Sequence, residues 1–449
     1  MNRKLRRFIF IAFVVLFFVL SAVILPYAFG YQLNWSGMKL QRTGMFDIKT
    51  VPGGAVIYLN GQIQQSFIGK LSGQATPVTT PAKLANQTPG TYQIKLELDG
   101  YWPWTKQLTV RPNETTYLED VYFFKKASPQ LLIESAKVLA VAQSNDQKYV
   151  AALGPQALYI FSWNKPEAIT TIPLSLSAQV QLVWSPNDEK ISVGNLIIDL
   201  KTKDIVDLKA FGQLPIKQVA WADKDLIYWQ DRNGLSWLNL KSNEEGLALG
   251  NRIAINDFAI KDGHLYYATT EPKAYLNIRK LENTQDQVKI KLSDNGLYNL
   301  TNTPDNDLII KNIANNNAYL INPGVLWLKN YNTQLIGPLT AWRFVDKGRL
   351  IYADTFELYD WNKQADSPKL LTRISYPILN IAWHKSNNYI IFATDHSLNT
   401  LELDDRDTHN ITTLLELPSL GQPLINQAGD KVIFFSEING AKGFYLLEI

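Results

Sequence analysis

From residue 127 onward the sequence repeats itself about every 40 residues, although no two copies are alike. VLAVAQSNDQKYVAALGPQALYIFSWN, VQLVWSPNDEKISVGNLIIDL, IKQVAWADKDLIYWQDRNGLSWLNL and TAWRFVDKGRLIYADTFELYDWN show the pattern. Each unit reads as an apolar strand, a polar turn, a strand rich in Ile and Tyr, a second turn and a third strand. Aligning the units on Val141, Trp184, Trp221, Phe258, Leu300, Trp342, Trp383 and Asn426 gives steps of 43, 37, 37, 42, 42, 41 and 43 residues. One such unit cannot bury its own apolar faces, so neighbours must stack into a continuous core. Eight units, each with three clear strands and a weaker fourth, predict an all-β propeller of eight blades. Seven blades result if the irregular fifth unit is absorbed into a neighbour. The fourth strands are expected in AITTIPL, DIVDLKA, LALGNRIAI, QVKIKL, VLWLKNY, PKLLTRI and NITTLLEL, with none in the eighth unit. The orphan strand at 129–135 (PQLLIES) is expected to pair with that last blade, closing the ring and covering an edge.

Composition agrees with a β-rich, aromatic-packed protein: aromatics reach 12%, and charged residues, at 19%, fall below the usual quarter or so. Cysteine is absent, which removes disulfides, thiolate metal sites, cysteine nucleophiles and lipidated anchors. Core packing and sheet closure must therefore hold the chain together, and a bacterial envelope fits that better than a eukaryotic secretory setting. Four of the positive charges behind the net +3 sit at Arg3, Lys4, Arg6 and Arg7. The rest of the chain is near neutral, without the basic face a nucleic-acid partner needs.

Residues 1–7 form that basic segment, and residues 8–29 follow without a charge. As a helix this apolar run spans roughly 33 Å, enough for a bilayer core. The flanking charges put the N-terminus in the cytoplasm and everything after Gly30 outside, as a single-pass anchor in the plasma membrane. The rival is a cleavable signal peptide, with Ala28-Phe29-Gly30 as its small-x-small site. Pro26 ends or kinks the helix under either reading.

Residues 30–45 read as a short polar stalk and residues 46–125 as a small β-sandwich. FDIKTV, a Pro52-Gly53-Gly54 turn, AVIYLNG with its Asn-Gly turn, and the alternating TYQIKLEL supply its strands. The stretch between Gln62 and Thr76 carries no clear pattern. VPGGAVIYLNG, TPGTYQIKLELDGY and WTKQLTVRPNETTYLEDVYF together resemble a PEGA domain, with Gly53 standing at the Glu position. The resemblance covers residues 46–124 and implies a small β module of bacterial and archaeal surface proteins, usually without catalytic residues and often set beside other extracellular repeats. WSPNDEK, within the region 127–449, is similar to the W-S-P-D-G-K turn of TolB-like propellers, and the other units depart from it. That resemblance implies a scaffold binding partners on a rim or in a central channel.

Residues that could carry chemistry are few. Tyr101, Trp102 and Trp104 sit at a turn where aromatic faces could stack on sugars, or could simply pack in the sandwich. Trp184, Trp221, Trp342 and Trp383 recur at one place in the repeat and read as packing between blades. Trp163 and Trp361 end third strands and are expected to be more exposed. His264 and His384 follow first strands and read as solvent-facing; with His396 and His409 they show no metal-ligand spacing. Pro304-Asp305-Asn306-Asp307 and Asp404-Asp405-Arg406-Asp407 have the carboxylate density of a weak Ca²⁺ loop but read as solvated turns. No nucleophile elbow, phosphate loop or dinucleotide fingerprint is present. The expectation is a non-catalytic binding or scaffold protein of the cell envelope, without cofactor or metal, whose partner is an envelope protein or wall polymer. The rival is a propeller-fold glycan hydrolase or lyase with carboxylates in a central channel. A quinone-cofactor propeller lacks its Trp-docking repeats here.

Overall fold

A computed structural model describes residues 3–449, apart from 29, 35–38, 67–75, 168, 177–179, 214, 271–272, 284, 287, 293–295, 303–307, 314–316, 322–333, 347–348, 363–364, 366 and 422. The unpatterned stretch after Gln62 and the acidic turn at 304–307 thus fall largely outside the described residues. The chain divides into two compact units. The first holds Met1–Ala127 with Ser386–Tyr389 and Thr400–Leu414; the second holds Ser128–Lys385, Ile390–Asn399 and Leu415–Ile449.

In the first unit the uncharged run is helical over Arg3–Ala28, with Pro26 inside its last turn. Leu5–Pro26 has a mean hydropathy of 3.2, a length and composition shared by membrane spans and signal sequences. Phe8, Phe10, Phe13, Phe17 and Phe18 all point into open space. The stalk region is not featureless: Tyr31–Asn34 and Lys39–Arg42 pair as a two-stranded ribbon.

The sandwich follows. One sheet is ordered Ala82–Gln87, Gly44–Val51, Thr115–Tyr122, and its last two strands run parallel. The other is ordered Gln62–Ile63, Val56–Leu59, Gly90–Glu97, Trp104–Val110. Alternation places Ile94 and Leu96 inward from the third of these strands. They meet Phe46, Ile48, Ile57, Leu108, Val110 and Phe123 in one core.

Beyond residue 128, eight four-stranded antiparallel sheets occur among the described residues. Seven are built from four successive strands in chain order, beginning with Ala140–Gln143, Tyr149–Leu153, Ala157–Ser162 and Thr170–Pro173. Fourth strands fall where the pattern places them in six of these. In the fifth, VLWLKNY lies outside the described residues, and Gln334–Pro338 is the fourth strand. The eighth sheet draws three strands from Leu424–Ile425, Lys431–Ile438 and Ala441–Glu448, and its outer strand is Gln130–Glu134. The register runs from Gln130 opposite Leu446 to Glu134 opposite Gly443.

The cores of the second unit lie between consecutive sheets rather than within them. Ala151, Leu153 and Leu158 of the first sheet meet Trp184, Ile191 and Ile198 of the second. Ile197 and Leu208 likewise meet Val219, Ile227 and Trp229 of the third. Ile433, Phe444 and Leu446 of the eighth pack on Val150, Ala152, Phe161 and Trp163 of the first. Gln143 Nε2 adds a hydrogen bond of 3.1 Å to the Ile425 carbonyl between those same two sheets.

Gly443 is required by the pairing of Gln130–Glu134, because a Cβ there would lie 2.2 Å from the Ile133 carbonyl oxygen. Replacing it with valine forces that outer strand away and should cost on the order of 3 kcal/mol. Denaturant midpoints of the wild type and Gly443→Val check this. A change within about 0.5 kcal/mol, typical of an unpaired surface site, would show that the outer strand is not seated there.

Candidate functional site

The aromatic corner of the sandwich does not form one stacking platform. Asp99-Gly100 turns the chain, after which Tyr101 bridges Lys125 and sets its ring edge-on to Phe123 at 6.2 Å. Trp102 is half-buried, its backbone N–H donating to the Phe124 carbonyl and its ring lying 5.3 Å from Lys126 Nζ. Its indole Nε1 is buried with no hydrogen-bond partner among the described residues. Trp104 turns the other way, into the sandwich core.

Trp104 leads to a polar cluster that the residue pattern had not singled out. Trp104, Lys106, Leu108 and Val110 alternate on the inward face of their strand, which places a lysine among core residues. Lys106 is 2% exposed and Glu402 3%. Lys106 Nζ lies 3.0 Å from Glu402 Oε2 and 2.6 Å from the Asp404 carbonyl. Both Glu402 oxygens lie 3.2 Å from Trp104 Nε1, and Asn410 Nδ2 donates to one of them at 2.9 Å. Burial pushes the Glu402 carboxyl up, against the pull of the Lys106 charge and these hydrogen bonds. Burial acts the same way on Asp404, but hydrogen bonds from Arg406 and the Lys106 charge outweigh it and hold its carboxyl low.

Around this pair, Arg406 donates to the Tyr117 carbonyl at 3.0 Å, and Asp407 accepts from the Gln107 N–H at 3.0 Å. The Asp404–Asp407 turn is therefore more than a solvated loop, since its carboxylates bond to Arg406, Lys106 and the strand bearing Lys106. A cleft of about 250 Å³ opens beside it, lined by Trp104, Tyr117, Asn388, Glu402, Asp404 and Arg406. With its acceptors occupied by Lys106, Trp104 and Asn410, Glu402 is suited to holding structure rather than to moving protons. Among the described residues no cluster of three metal-ligating side chains occurs.

Trp163, Trp184, Trp221 and Trp361 of the second unit are packing residues. Trp163 and Trp361 are buried rather than exposed, because the strands they end sit within the cores between sheets. Trp184 Nε1 donates to the Ala142 carbonyl at 3.3 Å and Trp221 Nε1 to the Val183 carbonyl at 3.1 Å, each reaching the first strand of the preceding sheet. Trp184, Trp221 and Trp383 share one register, opposite Ile191, Ile227 and Ile390. Trp342 does not: Phe344, opposite Leu350, takes that place and Trp342 lies two residues earlier.

His384 corrects a further expectation. It is 0% exposed, in the turn position that Ser144 and Ser185 fill in the first two sheets. Gly429 makes room for its ring, since a Cβ there would come within 2.6 Å of the imidazole. Burial, helped by Lys385, depresses its pKa to about 4. Other buried carboxylates serve the backbone: Asp257 accepts from the Phe258 and Leu300 N–H groups, and Asp231 from those of Gln213 and Asn233.

Removing Lys106 should strand the Glu402 carboxylate. Lys106→Met is expected to cost about 3–5 kcal/mol in unfolding experiments, and the Lys106→Met/Glu402→Leu double variant to recover most of that loss. A double variant no more stable than the single one would mean the two groups are not coupled.

With this geometry in hand, comparisons with known proteins give the sandwich a family and the sheets a fold. Residues 43–121 match the PEGA domain. No curated protein matches the chain. Among solved structures, the C-terminal WD40 domain of Sif2 superposes with a TM-score of 0.50 at 13% identity, covering 72% of this chain and 98% of that one. The computationally designed Ika8 protein gives 0.49 at 13%, covering 71% and 100%. PorZ, a surface component of the type-IX secretion system of Porphyromonas gingivalis, gives 0.41 at 16%, covering 70% and 43%. The chain thus carries a PEGA domain after an apolar N-terminal helix, and its repeated sheets have the β-propeller fold of WD40 type.

Proposed function

We propose that the protein is a membrane-tethered, non-catalytic binding scaffold of the bacterial cell envelope. The observation that carries this reading is the helix at Leu5–Pro26, uncharged past Arg7, with Arg3, Lys4, Arg6 and Arg7 clustered at its N-terminal end and the PEGA domain following from residue 43. A basic cluster ahead of a span of this length favours an uncleaved anchor with its N-terminus in the cytoplasm and the β region outside. The packing of the eighth sheet on the first, and the pairing of Gln130–Glu134 with Ala441–Glu448, support a ring of eight blades closed by that strand. Such a ring offers its rims to a partner, and wall glycan is the partner this reading favours over another envelope protein.

The engagement of Asp231, Asp257 and Glu402 in structural hydrogen bonds supports binding over glycan hydrolysis, which needs a pair of carboxylates free to reach one glycosidic bond. The test is co-sedimentation of the detergent-solubilised full chain with protein-stripped cell-wall sacculi. The expected result is pelleting with sacculi and no release of reducing ends on long incubation. Release of reducing ends would overturn the non-catalytic reading, and failure to pellet would shift the partner to an envelope protein.

A further inference from the structure

In the third sheet, a row of directly opposed residues runs Val219, Trp229, Ser236, Leu247 across the four strands. The corresponding rows are Val141, Ala152, Tyr159, Thr171 in the first sheet and Trp342, Tyr352, Tyr359, Leu370 in the sixth. Directly opposed residues share one face of a sheet. The third-strand position on that face is a tyrosine in those two sheets, Leu196 in the second, Asn277 in the fourth and Ser236, the smallest of these, here. A cleft of about 520 Å³ occupies the place, within the range of small-ligand sites.

The pairing shifts register between Leu235 and Ser236, as it does at Leu358 and Tyr359 in the sixth sheet. At Gly234 φ is +120, and a Cβ would lie 2.0 Å from the Leu249 carbonyl oxygen. Gly246 lets the Trp237 indole lie across the fourth strand, because a Cβ there would meet its Nε1 at 2.7 Å.

Ser236 forms the floor. It is 8% exposed, it lines the cleft, and its hydroxyl has no hydrogen-bond partner among the described residues. Its oxygen is open to the cleft, where water or a ligand hydroxyl can meet it. Phe211 stands at the side, and Leu247, 58% exposed, presents an aliphatic surface that folding leaves wet. Asn233, Asn251 and Glu245 supply amide donors and acceptors and a carboxylate acceptor. Asp231 fixes the Asn233 turn by accepting its backbone N–H at 2.7 Å. No cationic side chain is among the residues lining the cleft.

We propose that this cleft binds a neutral, hydroxyl-rich saccharide unit, with Ser236, Asn233, Asn251 and Glu245 bonding its hydroxyl or acetamido groups and Phe211 and Leu247 covering its C–H face. The ligand class follows from the chemistry of the lining. Apolar walls beside amides suit a sugar ring, whose faces are C–H and whose edge is polar. Glu245, in a cleft lined by no cationic side chain, disfavours sulfated or phosphorylated ligands. This inference gives the wall-glycan reading a place on the chain, and it rests on that reading only for the source of the sugar.

The experiment is titration of the detergent-solubilised full chain with the tetramer of β-1,4-linked N-acetylglucosamine, followed by tryptophan fluorescence, in parallel with sacculus pelleting. A saturable fluorescence change is expected from the wild type and none with a sulfated tetrasaccharide. Ser236→Tyr, which restores the residue of the first and sixth sheets, should abolish it. Asn251→Ala, at an exposed position where folding is not at stake, should weaken binding about tenfold. No saturable response from the wild type, or an unchanged response in both variants, overturns the cleft proposal. Sacculus pelleting that persists in both variants leaves the scaffold reading standing with its glycan site elsewhere. Tetramer binding lost in the variants while sacculi never pellet keeps the cleft and removes the cell wall as the source of its sugar.

Discussion

Without cysteine, everything beyond residue 128 depends on how the first strand of that region meets the last one. Gln130–Glu134 supplies the outer strand of a sheet whose other strands come from residues 424–448, so the pairing spans nearly the full repeat region. It covers the edge of Ala441–Glu448, a strand whose Phe444 and Leu446 pack against Phe161 and Trp163. Each sheet depends on its neighbours for a core, as the clusters shared between adjacent sheets show.

Lys106 and His384 are among the buried polar groups that depart from this apolar scheme, and each has a local cause. Lys106 occupies an inward strand position and is tolerated because Glu402 and the Asp404 carbonyl meet its ammonium there. His384 replaces a turn serine and is accommodated neutral, in space left by Gly429. Neither resembles catalytic machinery. In both cases a charge or a proton is managed so that a sheet or turn can close. An open polar cleft lies instead at the third sheet, where Ser236 holds a position that tyrosine takes in the first and sixth sheets.

Much of this architecture was legible in the residues. The repeat period and the pairing of PQLLIES depend on alternation and spacing, which local sequence records directly. The PEGA resemblance rested on turn residues that the fold needs, such as Pro52-Gly53-Gly54 and Asp99-Gly100. Side-chain environment was less legible. Trp342 looked equivalent to Trp184, yet a two-residue offset puts Phe344 in that register, and spacing alone does not distinguish the two. Trp163 and Trp361 are buried by neighbouring strands that sequence order does not reveal. Lys106 carried its own signal, a cation in an inward series, whereas Glu402 could be found only through the partner it meets 296 positions earlier in the chain. Ser236 stood out only once the opposed rows of three sheets were compared.

The proposed function places one uncleaved helix in the membrane and the whole β region outside the cytoplasm. Because the chain contains no cysteine, single thiols can report its orientation without removing native ones. The most direct measurement labels Asn2→Cys and, separately, the exposed Lys201→Cys with a membrane-impermeant maleimide, on intact cells and after lysis. The account predicts that Lys201→Cys reacts on intact cells, that Asn2→Cys reacts only after lysis, and that both remain in full-length, membrane-bound chains. Loss of the Asn2→Cys thiol with a shortened chain, or the reverse pattern of labelling, would contradict it.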